Sequence, residues 1–237
     1  MQSADKKNCI IYWYSGTGNS FLIAERIAQR LAEHQYVVEL VQIRCDTVAQ
    51  IPESTLVGLV FPIAVSGTYP FIWDFFERLP ESKNNSIFMA DTLGGYSGGI
   101  KGPLAKCLRK KGYDTIAALE FVMPENFPPG RKPDKNRDDL RISKALSEAD
   151  LFVSRMLQNQ EKWGDIPVFS SILGLFCRTR APWTTMRKIF AWKIDPEKCS
   201  RCGLCIRLCP VKNIEKGSLG LPKFLKNCQT CMRCVAF

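Results

Sequence analysis

The stretch IIYWYSGTGNSFLIAERIAQRL, residues 10–31, decides how the first part of this 237-residue chain folds. Its apolar beginning, Ile10–Tyr14, is typical of a buried strand. The hexapeptide SGTGNS, Ser15–Ser20, follows with two glycines and three hydroxyls. The next segment places Ile23, Ile27 and Leu31 on one face of a helix. The stretch therefore predicts a strand, a tight loop and an amphipathic helix in direct succession.

The same alternation of apolar runs and amphipathic segments continues through residue 163. Four more strand-like runs follow the first, at residues 36–43, 55–62, 86–92 and 115–124. Helical spacing appears near residues 71–79, 101–111 and 139–163. This alternation indicates an α/β fold, a five-stranded parallel sheet with helices on both faces. Ligands of such sheets bind at the carboxyl ends of the strands, near the point where the strand order reverses.

Three loops at that edge are candidates for a ligand site, and Ser15–Ser20 carries the clearest chemistry. Its glycines let the backbone approach a ligand closely, and free amides at the start of the next helix favour an anion. The hexapeptide contains no lysine or arginine and matches neither the P-loop nor the GxGxxG pattern. A phosphate monoester held by backbone amides and hydroxyls fits this composition. The alternative is a tight turn with a serine or asparagine cap.

The other two candidate loops follow the third and fourth predicted strands. Residues 61–71, FPIAVSGTYPF, contain small residues, two prolines and Tyr69, whereas residues 91–99, DTLGGYSGG, contain four glycines and Tyr96. Loops of this kind can hold a flat heterocycle between them and contact its edge with backbone groups. The same features occur in ordinary loops of α/β proteins, so taken alone they are weak signals.

Residues 8–160 resemble a flavodoxin-type domain, because SGTGNS is similar to the phosphate loop of that family, Ser/Thr-x-Thr-Gly-x-Thr/Ser. The resemblance implies FMN as cofactor. It implies that the phosphate is bound by Ser15, Gly16, Thr17, Gly18, Asn19 and Ser20. It also implies that the ring lies between the loops at 62–69 and 92–98, with contacts from Pro62, Ile63, Ala64, Val65, Thr92, Leu93, Gly94, Gly95, Tyr96 and Ser97.

The C-terminal part carries a different signature, CSRCGLCIRLCP at residues 199–210. Its spacing, C-x2-C-x2-C-x3-C-P, is the bacterial ferredoxin pattern that binds iron–sulfur clusters. A second run, CQTCMRC at 228–234, repeats the first three cysteines at an offset of 29 residues. Zinc sites favour two CxxC pairs with a longer gap, and a disulfide knot is not expected in a reducing compartment. The two runs therefore predict two 4Fe-4S clusters.

The ferredoxin pattern also assigns the ligands, because in two-cluster proteins the fourth cysteine of a run binds the other cluster. Cluster A then takes Cys199, Cys202 and Cys205, and cluster B takes Cys209, Cys228, Cys231 and Cys234. By the same repeat, the fourth ligand of cluster A would be residue 238, one position after Phe237. We expect the sequence to be a fragment, truncated before this cysteine. The alternatives for cluster A are a three-iron cluster or a ligand from outside the chain.

Composition limits the partners. The formal net charge is +10, and the whole excess lies in residues 151–237. Cluster-bound cysteines are thiolates, so this excess partly offsets an anionic cofactor, and without a recognised binding motif we expect no nucleic acid partner.

No run approaches the ~20 apolar residues of a transmembrane helix, and the first apolar run is too short for a signal peptide. We expect no transmembrane segment and a cytoplasmic location.

Three parts are predicted along the chain. Residues 1–163 form a flavodoxin-like FMN-binding domain, residues 164–195 a bridging segment, and residues 196–237 a small α+β bacterial-ferredoxin-like domain with the 4Fe-4S clusters. The bridging segment is apolar and aromatic with interspersed basic residues, which favours packing between the two domains. A helix on a membrane surface is the alternative, although Pro167 and Pro182 interrupt any long amphipathic helix.

The whole arrangement resembles the EFR-type ferredoxin–flavodoxin fusion family of anaerobic bacteria and archaea. The resemblance implies electron transfer between 4Fe-4S clusters and FMN within one chain, with a redox partner protein as donor or acceptor. Basic residues near the clusters favour an acidic partner. No general acid or base is evident, so no catalytic residue is assigned. The donor, the acceptor, the direction of electron flow and the oligomeric state are left open.

Two other functions are compatible with the same residues. One is an FMN-dependent reductase of a small molecule, fed with electrons by the clusters. Such an enzyme needs a pocket above the flavin ring, and the loop at 124–138 is a candidate lid for it. The other is a regulatory module whose clusters only sense the redox state.

Overall fold

The computed structural model describes residues 6–95, 99–127, 132, 134–164, 179 and 181–236. Its largest feature is a parallel sheet of five strands in the order β2-β1-β3-β4-β5. The strands are β1 Lys7–Trp13, β2 Tyr36–Gln42, β3 Leu56–Pro62, β4 Ser86–Leu93 and β5 Asp114–Val122. This is the strand order of the flavodoxin-like doubly wound fold, which reverses direction between β1 and β3. The predicted α/β class and five-stranded parallel sheet are therefore confirmed.

Four helices cover the two faces of this sheet. They are α1 Asn19–Glu33, α2 Pro70–Glu77, α3 Lys101–Lys110 and α4 Lys135–Leu157. Helices α1 and α4 pack together over one face, around a buried cluster that includes Phe88 and Phe152. Helices α2 and α3 supply residues to a second cluster on the other face, which includes Tyr14 and Phe76. The side chains of β3 are almost entirely buried because both faces are covered, whereas the edge strand β2 is partly exposed.

Several element ends differ from the sequence prediction, most of all the end of helix α4, which lies at Leu157 rather than near 163. Helix α4 begins at Lys135 rather than near 139, because the Asp134 side chain caps it by accepting a hydrogen bond from the amide of Arg137 at 3.2 Å. Strand β5 ends at Val122 rather than at 124, and Pro124 has no amide hydrogen with which to extend the ladder. Past α4, Trp163 remains buried against the first domain, where its indole donates to the carbonyl of Lys101 at 3.0 Å.

The C-terminal part is small and has little regular structure. Its elements are α5 Ala181–Ile189, α6 Leu204–Leu208 and the antiparallel strands β6 Ile214–Lys216 and β7 Pro222–Phe224. This agrees with the predicted α+β character. Just under half of the predicted bridging segment, at 165–178 and 180, lies outside the described residues. Within the described ranges, no helix combines the length and the apolar character needed to cross a bilayer.

Candidate cofactor sites at the domain junction

The hexapeptide Ser15–Ser20 connects β1 to α1 at the reversal point of the sheet. Gly18 occupies the N-cap position of α1 with φ +114°, and in the described part of the chain no side chain caps this helix. The Ser15 hydroxyl accepts a hydrogen bond from the amide of Gly18 at 2.9 Å, and the Ser20 and Thr92 hydroxyls lie 2.7 Å apart. Because the helix start has no side-chain cap, its amides can donate to an anion. This is an observation in favour of the phosphate interpretation over the capped turn.

A cavity of about 410 Å³ opens beside this loop. All three predicted loops contribute to its wall: Ser15, Gly16, Thr17, Asn19, Ser20, Pro62, Ile63, Ala64, Val65, Thr92, Leu93, Gly94 and Gly95. Gly18 is not part of the wall, and Tyr96 and Ser97 lie outside the described residues. The size is within the usual range for a small-molecule or cofactor site. A flat ring and a phosphate in this cavity would meet the residues expected for FMN.

Two further segments line the cavity, and the first of them belongs to the loop at 124–138 that the sequence predicts as a candidate lid. Residues 124–127 lie across the hexapeptide: the Asn19 amide donates to the carbonyl of Pro124 at 2.8 Å, and the Asn126 amide donates to the Thr17 hydroxyl at 2.5 Å. Helix α5 supplies Trp183 and Met186 to the wall. Its Trp183 ring packs on the Tyr69 ring at 5.1 Å. Residues 124–127 and helix α5 therefore line the part of the cavity where a flavin ring would lie.

The cysteines of the second run gather around a second, smaller cavity together with Cys209. Cys209, Cys228, Cys231 and Cys234 all line it, and the rest of its wall is mostly apolar, including Val211, Ile214 and Phe224. Cys199, Cys202 and Cys205 form a separate group, in which Cys205 interacts with the other two thiols. Thus the structure places Cys209 beside the other run, which is the grouping that the crossed ferredoxin pattern predicts.

The chemistry of the four thiols around the smaller cavity fits an iron–sulfur cluster. The amides of Asn213 and Thr230 donate to the sulfurs of Cys209 and Cys228 at 3.1 and 3.4 Å. Hydrogen bonds of this kind stabilise the negative charge on cluster ligands. Burial raises the pKa of Cys231 to about 11 and that of Cys234 to about 12. A bound metal would supply the positive charge that holds such buried groups as thiolates.

The cysteine sites are not arranged for a single metal ion. In the described part of the chain, no three His, Cys, Asp or Glu side chains converge at single-ion distance. A cluster spreads its thiolates over several irons and does not need that convergence. Cys202, in the other group, is exposed, and the amide of Leu204 is the main cause that lowers its pKa.

The two cavities share a wall. Cys231 lines both of them, and its backbone carbonyl packs directly on the hexapeptide. A Cβ atom added at Gly16 would lie 2.1 Å from the Cys231 oxygen. Arg233 donates from its guanidinium to the carbonyl of Ser15 at 3.0 Å. The hexapeptide itself contains no cation, but this contact brings one to its backbone from the C-terminal part.

Other contacts hold the C-terminal part against the same edge of the sheet. The amide of Phe71 donates to the Gln229 side chain at 3.2 Å, and the amide of Cys45 donates to the carbonyl of Pro210 at 2.9 Å. The Arg44 guanidinium donates to the carbonyl of Cys209 at 3.0 Å. No local signal in the sequence indicates these pairs, because their members lie far apart in the chain.

Comparison with known proteins gives the following matches. Residues 191–237 match the family model of the 4Fe-4S dicluster domain. The similar solved structures include two-electron reduced flavodoxin from Megasphaera elsdenii, with 18% identity, 59% coverage of this chain, 98% coverage of that chain and a TM-score of 0.40. Flavodoxin 2 from Bacillus cereus has 14% identity, coverages of 64% and 98%, and a TM-score of 0.45. Among curated proteins, none matches the chain.

A third solved structure is general stress protein 14 from Treponema denticola, in complex with FMN. It has 10% identity, covers 63% of this chain and 99% of its own chain, and has a TM-score of 0.43. The strand order establishes the fold of the first domain, and the family match indicates that residues 191–237 are similar to a 4Fe-4S dicluster domain.

Proposed function

We propose that this chain, which joins a flavodoxin-like fold to a 4Fe-4S dicluster domain, transfers electrons between 4Fe-4S clusters and FMN within one polypeptide. The observation that carries the proposal is the shared wall: Cys231 borders both the cavity of the hexapeptide and the cavity of the four thiols. Two redox cofactors held in these cavities would be neighbours, separated by a ligand of one of them.

The residues proposed for each cofactor are those that the sequence predicts, and most of them line the two cavities. The hexapeptide Ser15–Ser20 would hold the FMN phosphate, and residues 62–65 and 92–95 would border its ring. Cluster B would take Cys209, Cys228, Cys231 and Cys234, and cluster A would take Cys199, Cys202 and Cys205. When bound, the clusters exchange single electrons and FMN exchanges one or two, so the protein supplies position and electrostatics.

The exposure of the two cysteine groups indicates where a redox partner protein would contact the chain. Cys202 is exposed, whereas the cluster B thiols border the interior junction. The ring region is walled by α5 and residues 124–127. A redox partner protein would therefore meet the chain near cluster A. The exposed cations Lys198 and Arg201 there would favour an acidic partner.

The first experiment is anaerobic purification followed by analysis of iron, sulfide and flavin. We expect one FMN and iron in four-iron clusters, up to about eight irons per chain for two of them. Cys228→Ala should remove the iron of cluster B, and Cys107→Ala, outside both motifs, should leave the iron content unchanged. Zinc without iron, or a preparation without flavin, would overturn the proposal.

The second experiment measures transfer within the chain. A one-electron donor protein is mixed anaerobically with the wild type and with Cys228→Ala, and flavin reduction is followed by stopped-flow absorbance. We expect fast reduction of the flavin in the wild type and strongly slowed reduction in the variant. Equal rates in the two proteins would show that the clusters do not feed the flavin.

A second function is reduction of a small molecule by FMN. It is favoured by the residues of α5 and 124–127 that line the cavity. Trp183, Met186 and Phe127 are among these residues. A substrate would have to bind there, above the ring. Turnover of quinones or nitroaromatics that saturates with their concentration and is lost in Trp183→Ala would favour this enzyme. Reduction that rises linearly with concentration in both proteins would favour the carrier.

A further inference from the structure

The cavity that we assign to FMN has little charge in its wall. A phosphate monoester carries about 1.5 to 2 negative charges at neutral pH. None of the described residues that line the cavity is a lysine or an arginine, and one of them, Glu125, is acidic. The hexapeptide Ser15–Ser20 likewise contains no cation. A positive charge for the phosphate must therefore come from a residue outside the cavity wall.

Arg233 is a cation that reaches the hexapeptide from another part of the chain. It lies in the second cysteine run, between the cluster B ligands Cys231 and Cys234. Its guanidinium nitrogen Nη1 donates to the carbonyl oxygen of Ser15, the first residue of the hexapeptide, at 3.0 Å. The side chain is half-buried, so water screens its charge less than that of an exposed cation. Arginine also keeps its charge at any physiological pH.

The backbone around Arg233 packs on the same loop. Thr230, Cys231 and Met232 all line the cavity, and Thr230 and Met232 have the left-handed conformation of tight turns, with φ +54° and +64°. The Cys231 carbonyl lies so close to Gly16 that a Cβ atom there would be 2.1 Å from its oxygen. The second cysteine run is therefore seated directly on the hexapeptide and holds Arg233 beside it.

We infer that Arg233 is a specificity-determining residue of the flavin site, which selects FMN over riboflavin by placing a positive charge beside the phosphate loop. The inference rests on the proposed function in one respect, the binding of the FMN phosphate by Ser15–Ser20. It goes beyond that function because it gives the second cysteine run a part in flavin binding besides the ligation of cluster B. Arg233 acts through the hexapeptide, as a positioning residue.

Two effects of the guanidinium favour a phosphate at this loop. Its charge adds to the positive end of the α1 dipole, which lies at the same place. Its hydrogen bond also engages the Ser15 carbonyl, whose partially negative oxygen would otherwise repel an anion. Neither effect acts on riboflavin, which has the same ring without the phosphate. Loss of the charge should therefore weaken the binding of FMN and leave the binding of riboflavin nearly unchanged.

The test compares the two flavins on cluster-containing protein from which the flavin has been removed anaerobically. Iron is measured first, and dissociation constants are then obtained from the quenching of flavin fluorescence. Arg233→Gln should bind FMN roughly tenfold more weakly, as is usual for one partly buried charge acting on another, and riboflavin within about twofold of the wild type. Arg233→Lys keeps the charge and should recover part of the lost affinity for FMN.

Arg44→Gln is the matched control. The Arg44 guanidinium also donates to a backbone carbonyl across the domain junction, but its acceptor is Cys209, at 3.0 Å, rather than a residue of the hexapeptide. Arg44 is not among the described residues that line the cavity. This variant therefore loses one arginine and one contact across the junction, as Arg233→Gln does. Its ratio of the riboflavin constant to the FMN constant should equal that of the wild type.

A ratio that falls in Arg233→Gln and is unchanged in Arg44→Gln supports the inference. An unchanged ratio in Arg233→Gln overturns it. An equal loss of affinity for both flavins also overturns it, because Arg233 would then only hold the wall in place. An equal fall of the ratio in Arg233→Gln and Arg44→Gln overturns it too, since the effect would come from the net charge of the protein.

Citrulline in place of Arg233 guards against a variant that assembles poorly. It keeps the shape and the N–H donors of arginine but has no charge, so it should weaken FMN binding and spare riboflavin binding. A wild-type ratio in the citrulline protein overturns the inference. Failure of the proposed function would look different, because the wild-type protein itself would then bind no FMN. Failure of the Arg233 inference leaves FMN bound to the wild type, with a ratio that the variants do not change.

Discussion

The sheet domain and the cysteine-rich segment at 199–236 are stabilised in different ways. The sheet carries a large apolar cluster on each face, with fully buried side chains such as Phe61, Phe88 and Phe152. The cysteine-rich segment buries few apolar side chains, chiefly Cys209, Val211 and Ile214. Segments this small usually need metals or disulfides to fold. Hydrophobic burial suffices for the first region, whereas we expect the second to depend on bound metal and on docking to the first.

Removal of iron is expected to have the largest effect, on the structure of the cysteine-rich segment. If it had no effect, the two regions would not differ in what stabilises them. Structural metal binding contributes folding free energy directly, so chelation should unfold residues 199–236 while β1, β3 and β4 remain intact. Hydrogen exchange with mass spectrometry would show lost protection in the cysteine-rich peptides alone. Removal of FMN without iron is the control, and it should affect the hexapeptide region only. Undiminished protection of 199–236 after complete iron removal would contradict the distinction.

Phe152→Ala tests how much apolar packing stabilises the sheet domain. The ring is fully buried, 6.0 Å from the ring of Phe88 and 6.1 Å from that of Phe121. Losing it should lower the free energy of unfolding of the sheet domain by about 3–5 kcal/mol, because a cavity is left in a packed core. Urea denaturation measures this loss. Leu151→Ala, at a neighbouring side chain that is 56% exposed, should stay within about 0.5 kcal/mol.

Gly16→Ala examines the docking surface between the two regions. The new methyl group would lie 2.1 Å from the carbonyl oxygen of Cys231, so one backbone must move. We expect the less well packed side to move, at a cost of about 1–3 kcal/mol, as in other overpacked sites. Amide exchange in residues 228–236 should become about 5- to 150-fold faster.

Gly95→Ala is the control for Gly16→Ala, because a Cβ at Gly95 meets no atom of the described residues within 4 Å. Strand amides should exchange at unchanged rates in both variants. Unchanged exchange in residues 228–236 of Gly16→Ala would mean that the contact does not hold the cysteine-rich segment in place.

Asp91 is expected to show the smallest effect, and it marks a place where the sheet core is not apolar. Its carboxyl is fully buried, and neither oxygen has a hydrogen-bond partner among the described residues. Burial, followed by the nearby Glu120, raises the pKa of Asp91 well above its usual value. The folded state then keeps its proton after the unfolded chain has lost it. Stability should therefore fall as the pH rises from the unfolded pKa, about 4, toward the folded one.

Asp91→Asn should remove this pH dependence. At neutral pH we expect a gain on the order of 1 kcal/mol, since each pH unit between the two pKa values costs about 1.4 kcal/mol. Urea denaturation at a series of pH values would measure it, with Asp114→Asn at an exposed position as the control. An identical pH profile for Asp91→Asn and the wild type would show that Asp91 is ionised or otherwise paired in the folded protein.

Much of the sheet domain could be predicted because its signals are local. The apolar runs gave strands within one to three residues at most ends, and the hexapeptide fell between β1 and α1 as expected. The three candidate loops converge on one cavity, because parallel strands place their carboxyl ends at one edge of a sheet. The start of α4 was misjudged because the cap at Asp134 was not recognised in a proline-rich loop.

The sequence also predicts the cofactor chemistry from local spacing, since cysteines three residues apart indicate a metal cluster and a Ser/Thr-Gly loop indicates an anion. The tertiary structure alone decided how these sites meet. It placed Ser15 and Gly16 against Arg233 and Cys231, more than 200 positions away in the chain. Contacts between segments so distant depend on shape and packing after both have folded, and they leave no periodic or spacing signal in either segment.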